Sequence, residues 1–240
     1  MVDSRGFEPL TPRVQGEYST SLNYKPINCL NNYESLIVVF YNIANLLFVI
    51  KIKFLMVLTE STISLKTGDN APEFNLKGID DNMHSLNDYS KKGLLIIFMC
   101  NHCPYVKAKI NAIKELHDKF KDHISIVGIN SNDSMKYPDD SFDSMKVVAK
   151  EKGLKIDYLV DETQEIAKKY GAVCTPDPFL FDSEKKLVFH GRIDDAMNPD
   201  AEVTEKVMVN NIEKFLDGQK IEKEFDPSIG CSIKWKEQQT

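Results

Sequence analysis

An unbroken apolar run, Leu94-Leu95-Ile96-Ile97-Phe98, leads through Cys100-Asn101-His102-Cys103-Pro104 into a stripe of Val106, Ile110, Ile113, Leu116 and Phe120. The run reads as a buried strand and the stripe has helical spacing, so the chain turns from strand to helix within a few residues. It makes that turn on two cysteines. Proline fits best at the first helical position, where no N–H is needed. With Pro104 there, Cys103 is the N-cap and Cys100 lies one step back at the strand end. The unpaired N–H groups and the positive end of the helix dipole favour a thiolate at Cys103, the species that attacks disulfides and peroxides.

The same segment admits other chemistry. Cys100, His102 and Cys103 are all competent metal ligands, but a structural zinc site wants four ligands with a second close pair, and none follows. Redox or nucleophilic chemistry at Cys103 is the reading carried forward, with no metal and no cofactor expected. Cys100 can still pair with Cys103. His102 either tunes the charge of the thiolate or stands in a solvated loop.

Charged residues at 28% and hydrophobic ones at 42% describe a globular chain. A net charge of −6 without a basic stripe argues against nucleic acid as a partner. Five cysteines form no disulfide framework, which points to a reducing compartment and a cytoplasmic protein. Residues 1–55 break the pattern. They show no amphipathic period early on and are then crowded with Asn, Tyr, Ile, Phe, Lys and Leu, as when A+T-rich DNA is read as protein. The expected start is Met56, with a redoxin domain over 56–240. Residues 36–50 are the alternative, a membrane anchor, although about fifteen apolar residues are short of the ~20 that a bilayer span needs.

Beyond Met56 the chain alternates strand and helix. Phe74-Asn75-Leu76 and Ser85-Leu86 flank a turn and predict an N-terminal hairpin. Ile124–Ile129 predicts a central strand. Asp140-Ser141 caps a helix carrying Phe142, Met145 and Val148, which Gly153 ends. Asp161 and Gln164 predict a capping box for a helix through Tyr170, closed by Gly171. Phe179–Phe181 and Lys186–Phe189 read as a second hairpin, and Val203, Val207, Met208, Ile212 and Phe215 as the stripe of a last helix. The expected fold class is α/β, with a central mixed sheet and helices on both faces.

Cys174-Thr175-Pro176 falls between the Tyr170 helix and the Phe179 strand. Strand, cysteine, helix, further strand and helix, Thr-Pro, hairpin and helix together resemble the thioredoxin superfamily, in which such a Thr-Pro has a cis bond and packs beside the reactive cysteine. Ala71-Pro72-Glu73-Phe74, Cys100–Val106, Gly128–Asp133, Tyr137–Phe142, Gly191–Asp195 and Gly230–Trp235 resemble more closely the peroxiredoxin-like redoxin proteins of the alkyl hydroperoxide reductase/thiol-specific antioxidant group. The resemblance spans about residues 59–236. It places Cys103 at the first thioredoxin cysteine and Val106 at the second, and implies catalytic roles for Cys103, Cys100, Thr175 and Pro176.

Departures from that group narrow the function. Ile96 stands at the usual proline place, Cys100 at the hydroxyl place and Thr175-Pro176 where an arginine is usual; Arg192 is the only arginine after residue 13. The expectation is a thiol-dependent, peroxiredoxin-like oxidoreductase acting on a peroxide or on a protein or small-molecule disulfide, with an external dithiol of thioredoxin type as reductant. The alternatives are a disulfide reductase without peroxidase activity and a non-enzymatic binding module. Oxidation should join Cys103 to Cys100, Cys174 or Cys231, the last read as an exposed thiol in an extended tail. Trp235 reads as an anchor for that tail, and Asp194-Asp195 as a solvated turn.

Overall fold

Every residue of the strand Gly93–Phe98 is buried, as a strand covered on both faces must be. Leu95 and Ile97 enter one hydrophobic cluster, while Leu94, Ile96 and Phe98 enter another. The computed structural model describes residues 58–237. The expected start at Met56, the alternative anchor at 36–50 and Cys29 lie outside the described residues. No helix among the described residues is long and apolar enough to cross a membrane.

In chain order the elements are β1 (Leu58–Glu60), β2 (Asn75–Gly78), β3 (Met83–Ser85), β4 (Gly93–Phe98), α1 (Pro104–Phe120), β5 (Ile124–Asn130), α2 (Phe142–Lys152) and β6 (Asp157–Val160). There follow α3 (Glu165–Tyr170), β7 (Cys174–Thr175), β8 (Asp177–Asp182), β9 (Leu187–Gly191), α4 (Val207–Leu216), β10 (Phe225–Asp226) and β11 (Ile229–Ser232). Eight strands form a sheet in the order β10-β9-β8-β4-β5-β6-β2-β3, and β1-β11-β7 form a second, small one. β4 runs parallel to β5 and antiparallel to β8, so the main sheet is mixed. β2 and β3 make the expected N-terminal hairpin.

Helices cover both faces. The stripe of α1, Met145 and Ala149 of α2, and Val207, Met208 and Ile212 of α4 join the cluster of Leu95 and Ile97. Ile166, Ala167 and Tyr170 of α3 join the other. There Tyr170 packs on Phe98 at 5.4 Å and edge-on to Phe179 at 5.7 Å, and its hydroxyl donates to Pro72 O at 2.9 Å. Replacing Phe179 by alanine removes the centre of this group and should cost about 3–5 kcal/mol. The measurement is a lower urea midpoint with the m-value unchanged; a loss below about 1 kcal/mol would mean that α3 collapses onto the void.

Three local expectations fail, the first two for tertiary reasons. The capping box at α3 does not form: Gln164 sits at φ 64° and sends its amide to Ser131 O and Lys234 O, while Asp161 accepts from Ala167 N at 2.9 Å. Ser141 alone caps α2, because the Asp140 carboxylate points into the protein. Val203 lies outside α4 and is exposed.

Candidate active site

Cys103 is the N-cap of α1, with Pro104 at the first helical position and φ, ψ of −65°, 122°. This places its sulfur at the positive end of a 17-residue helix. The sulfur is fully buried and lies 3.3 Å from the carbonyl oxygen of Thr175. Cys100 Sγ lies 3.4 Å from Thr175 Oγ1, so one threonine touches both cysteines. The Thr175–Pro176 bond is cis.

Cys231 is not in an exposed tail. It is buried in β11, which pairs with β1 on one side and β7 on the other and sets Cys231 opposite Thr175. The chain can come this close because residue 230 is glycine: a Cβ there would lie 2.0 Å from Thr175 O. Three thiols therefore meet at the start of α1. Burial opposes ionisation of Cys103, but the thiols of Cys100 and Cys231, with the N–H groups of Val106 and Cys231, outweigh it and lower its pKa. Cys100 moves the other way, raised by burial, by its contact with Cys103 and by the Asp140 charge. Cys231 is raised by its contact with Cys103 and then by burial. Cys174 points instead to Ser228 O at 4.0 Å, and burial raises its pKa too.

The loop between β4 and α1 is held by one buried carboxylate. Asp140 Oδ1 accepts from Asn101 N at 2.7 Å and His102 N at 3.3 Å. Its Oδ2 accepts from Asn132 Nδ2 at 2.8 Å and hydrogen-bonds His102 Nδ1. Burial would raise Asp140, yet the His102, Asn132 and Asn101 contacts hold it below its usual value. His102 is thus no solvated loop residue: its ring stacks on Tyr137 at 5.1 Å. Neither contact was legible locally, since Asp140 reads as a helix cap and Tyr137 lies 35 residues along the chain from His102.

Cys100, His102 and Asp140 each bring a donor atom within 4.8 Å of the others. Such a trio could begin a metal site, but both oxygens of Asp140 are already filled by N–H donors, and the arrangement is that of a hydrogen-bonded anchor. A groove of ≈ 450 Å³ between α1 and α2 is lined by Cys100, Asn101, Val106, Ile110, Val148 and Leu154. It reaches Cys100, while β11 covers Cys103.

Other residues singled out in the sequence have structural places. Arg192 pairs with Asp226 at 2.8 Å. Asp194 is buried and paired with Lys109, against the solvated-turn expectation, while Asp195 stays partly exposed and accepts from the N–H groups of Thr204 and Glu205. His190 is buried, stacked on Phe179 and bonded to Asp177 at 2.8 Å. Trp235 is 38% exposed, with Lys168 Nζ 5.7 Å from its ring, and anchors little.

Residues 67–190 match the sequence model of the AhpC/TSA family. An uncharacterized conserved protein from Geobacillus kaustophilus is 41% identical in sequence, with a TM-score of 0.71 over 75% of this chain and 97% of that one. Thiol-disulfide oxidoreductase ResA of Bacillus thuringiensis subsp. konkukian is 25% identical over 125 residues, 52% of this chain and 68% of the relative. The thioredoxin domain of a thiol-disulfide oxidoreductase from Bacteroides vulgatus shares the fold, with a TM-score of 0.51 and 23% identity over 63% of this chain and 99% of that one.

Proposed function

The chain belongs to the AhpC/TSA family and has the thioredoxin fold, and on that footing we propose that it is a thiol–disulfide oxidoreductase with Cys103 as the attacking thiolate. The observation that carries this reading is geometric: Cys103 caps α1, and Cys100 lies beside it against the same Thr175 of the cis Thr175–Pro176 turn; the lowered Cys103 and raised Cys100 agree with it. Low pKa makes the attacking sulfur; a neighbouring protonated thiol waits to resolve. Cys103 attacks one sulfur of a substrate disulfide and releases the other half as a thiolate. Cys100 then attacks the Cys103 sulfur of the mixed disulfide, releases the second half and closes a Cys100–Cys103 bond. An external dithiol reduces that bond. The groove that reaches Cys100 favours it as resolver over Cys231, which is pinned between two strands. A site that works through free thiols suits a reducing compartment such as the cytoplasm.

Disulfide exchange is favoured over peroxide reduction. Arg192 pairs with Asp226 and contacts Met197, not the Cys103 sulfur or Thr175, where a peroxide-reducing relative has its arginine. A thiol, Cys100, stands where a peroxide-reducing relative has a hydroxyl. The resemblance to a ResA protein points the same way. With a dithiol reductant in excess, the protein should reduce a small aryl disulfide and a protein disulfide rapidly and consume hydrogen peroxide no faster than a free thiol does. Peroxide consumption exceeding disulfide reduction would overturn this choice.

A further inference from the structure

Cys100 has to lose a proton before it can resolve, and it is buried, close to a second cysteine and to a carboxylate that disfavours a new negative charge. A base is needed within reach. The loop supplies one imidazole in an unusual setting for a residue so near a helix start. His102 Nδ1 is bonded to Asp140, its ring is fixed by Tyr137, and its side chain is only 11% exposed. Its Nε2 is buried and has no hydrogen-bond partner among the described residues, leaving that position open for a proton. A ring nitrogen of His102 lies within 4.8 Å of Cys100 Sγ, a span that one water or a small side-chain movement closes.

We infer that His102, oriented by Asp140, accepts the proton of Cys100 in the resolving step. The inference rests on the reading of Cys103 as nucleophile and Cys100 as resolver, and adds to it the fate of the proton. The Cys100 S–H bond breaks and its proton passes to the imidazole. The sulfur electron pair forms the bond to Cys103, and the Cys103–substrate S–S bond breaks with its electron pair going to the departing thiolate. The departing thiolate, or solvent, then takes the proton from the imidazolium. Asp140 stays ionised beside the ring, so the imidazolium forms next to a negative charge.

Several other groups face this proton transfer. The Cys103 thiol is in hydrogen-bond contact with that of Cys100, and Tyr158 reaches the loop by donating to Asn101 Oδ1 at 3.1 Å. Lys234 Nζ lies 5.8 Å from the ring of Tyr137, on which His102 stacks. Asp140, Cys103, Tyr158 and Lys234 are retained in every variant below, so a change in profile reports His102.

The test uses the full chain carrying Cys231→Ser, which leaves Cys100 as the near thiol, and a chromogenic aryl disulfide whose leaving thiolate is coloured. Attack by Cys103 releases one coloured thiolate, and resolution by Cys100 releases the second. Adding His102→Gln should lower the ratio of the second rate constant to the first by on the order of 100-fold near neutral pH and move the second-phase profile to higher pH. In His102→Ala, free imidazole should restore the second phase in proportion to its concentration. An unchanged ratio overturns the inference alone. So does a lowered ratio with an unmoved profile and no response to imidazole, because that pattern belongs to a merely structural residue. If no first release occurs in the parent, the reading of Cys103 falls and this inference with it.

Discussion

Cys103→Ser should abolish disulfide reduction, leaving only the rate of the reductant without protein. The serine hydroxyl stays protonated at neutral pH and forms no mixed disulfide, so the loss is of the reaction itself. In the wild-type protein, alkylation followed by peptide mapping should label Cys103 ahead of Cys100, Cys174 and Cys231. The four thiols differ in the sign of their shifts: Cys103 is lowered and the other three are raised. A lowered pKa keeps the thiolate populated as pH falls through the ordinary thiol range, and its reactivity is lost only when pH passes the lowered value. The Cys103 rate should therefore hold between about pH 8 and about pH 6, where an ordinary thiol of pKa about 8.5 loses close to tenfold per pH unit. Equal labelling of Cys100, or full turnover by the serine variant, would refute the assignment.

The second large effect is expected at a residue with no reactive group. A Cβ on Gly230 would lie 2.0 Å from the oxygen and 2.6 Å from the carbonyl carbon of Thr175, and backbone atoms cannot swing aside as a side-chain tip can. Gly230→Ala must push β11 off β7, drawing Cys231 away from Cys103. Overpacking of this kind costs about 1–3 kcal/mol, and the same energy applied to opening of the strand corresponds to about 5- to 150-fold. Cys103 alkylation should accelerate by that range, read at a pH where the thiolate is fully formed in both proteins so that access alone is compared. The melting temperature should fall by about 2–4 °C for each kcal/mol. A variant with the lower melting temperature and an unchanged alkylation rate would show that β11 does not limit access to Cys103.

Much of this site is written in short stretches of chain. The apolar run before Cys100, the proline after Cys103 and the stripe from Val106 to Phe120 are neighbours along the sequence. A strand, an N-cap and an amphipathic helix are each decided by residues within a turn or two of one another. Gly153 and Gly171 end their helices for the same reason: each takes a positive φ that the next residue types would resist. The N-terminal hairpin and the β8–β9 hairpin follow from alternating apolar residues around polar turns.

The partners of Cys103 were not local. Asp140 carries the mark of a helix cap, standing just before Ser141, yet it reaches back 38 residues along the chain to hold His102. Cys231 follows a glycine near the end of the described chain and looks like a free tail, yet strand pairing sets it opposite Thr175. The failed capping box at Gln164 has the same origin, because Ser131 O and Lys234 O offer its amide better-placed acceptors than its own helix does. Local propensity specified which segments would be strand or helix and which cysteine would sit at a helix start. Only the tertiary structure decided which thiol lies against it, what orients the histidine and what covers the sulfur, because those contacts depend on the order of strands in the sheet, to which no window of sequence has access.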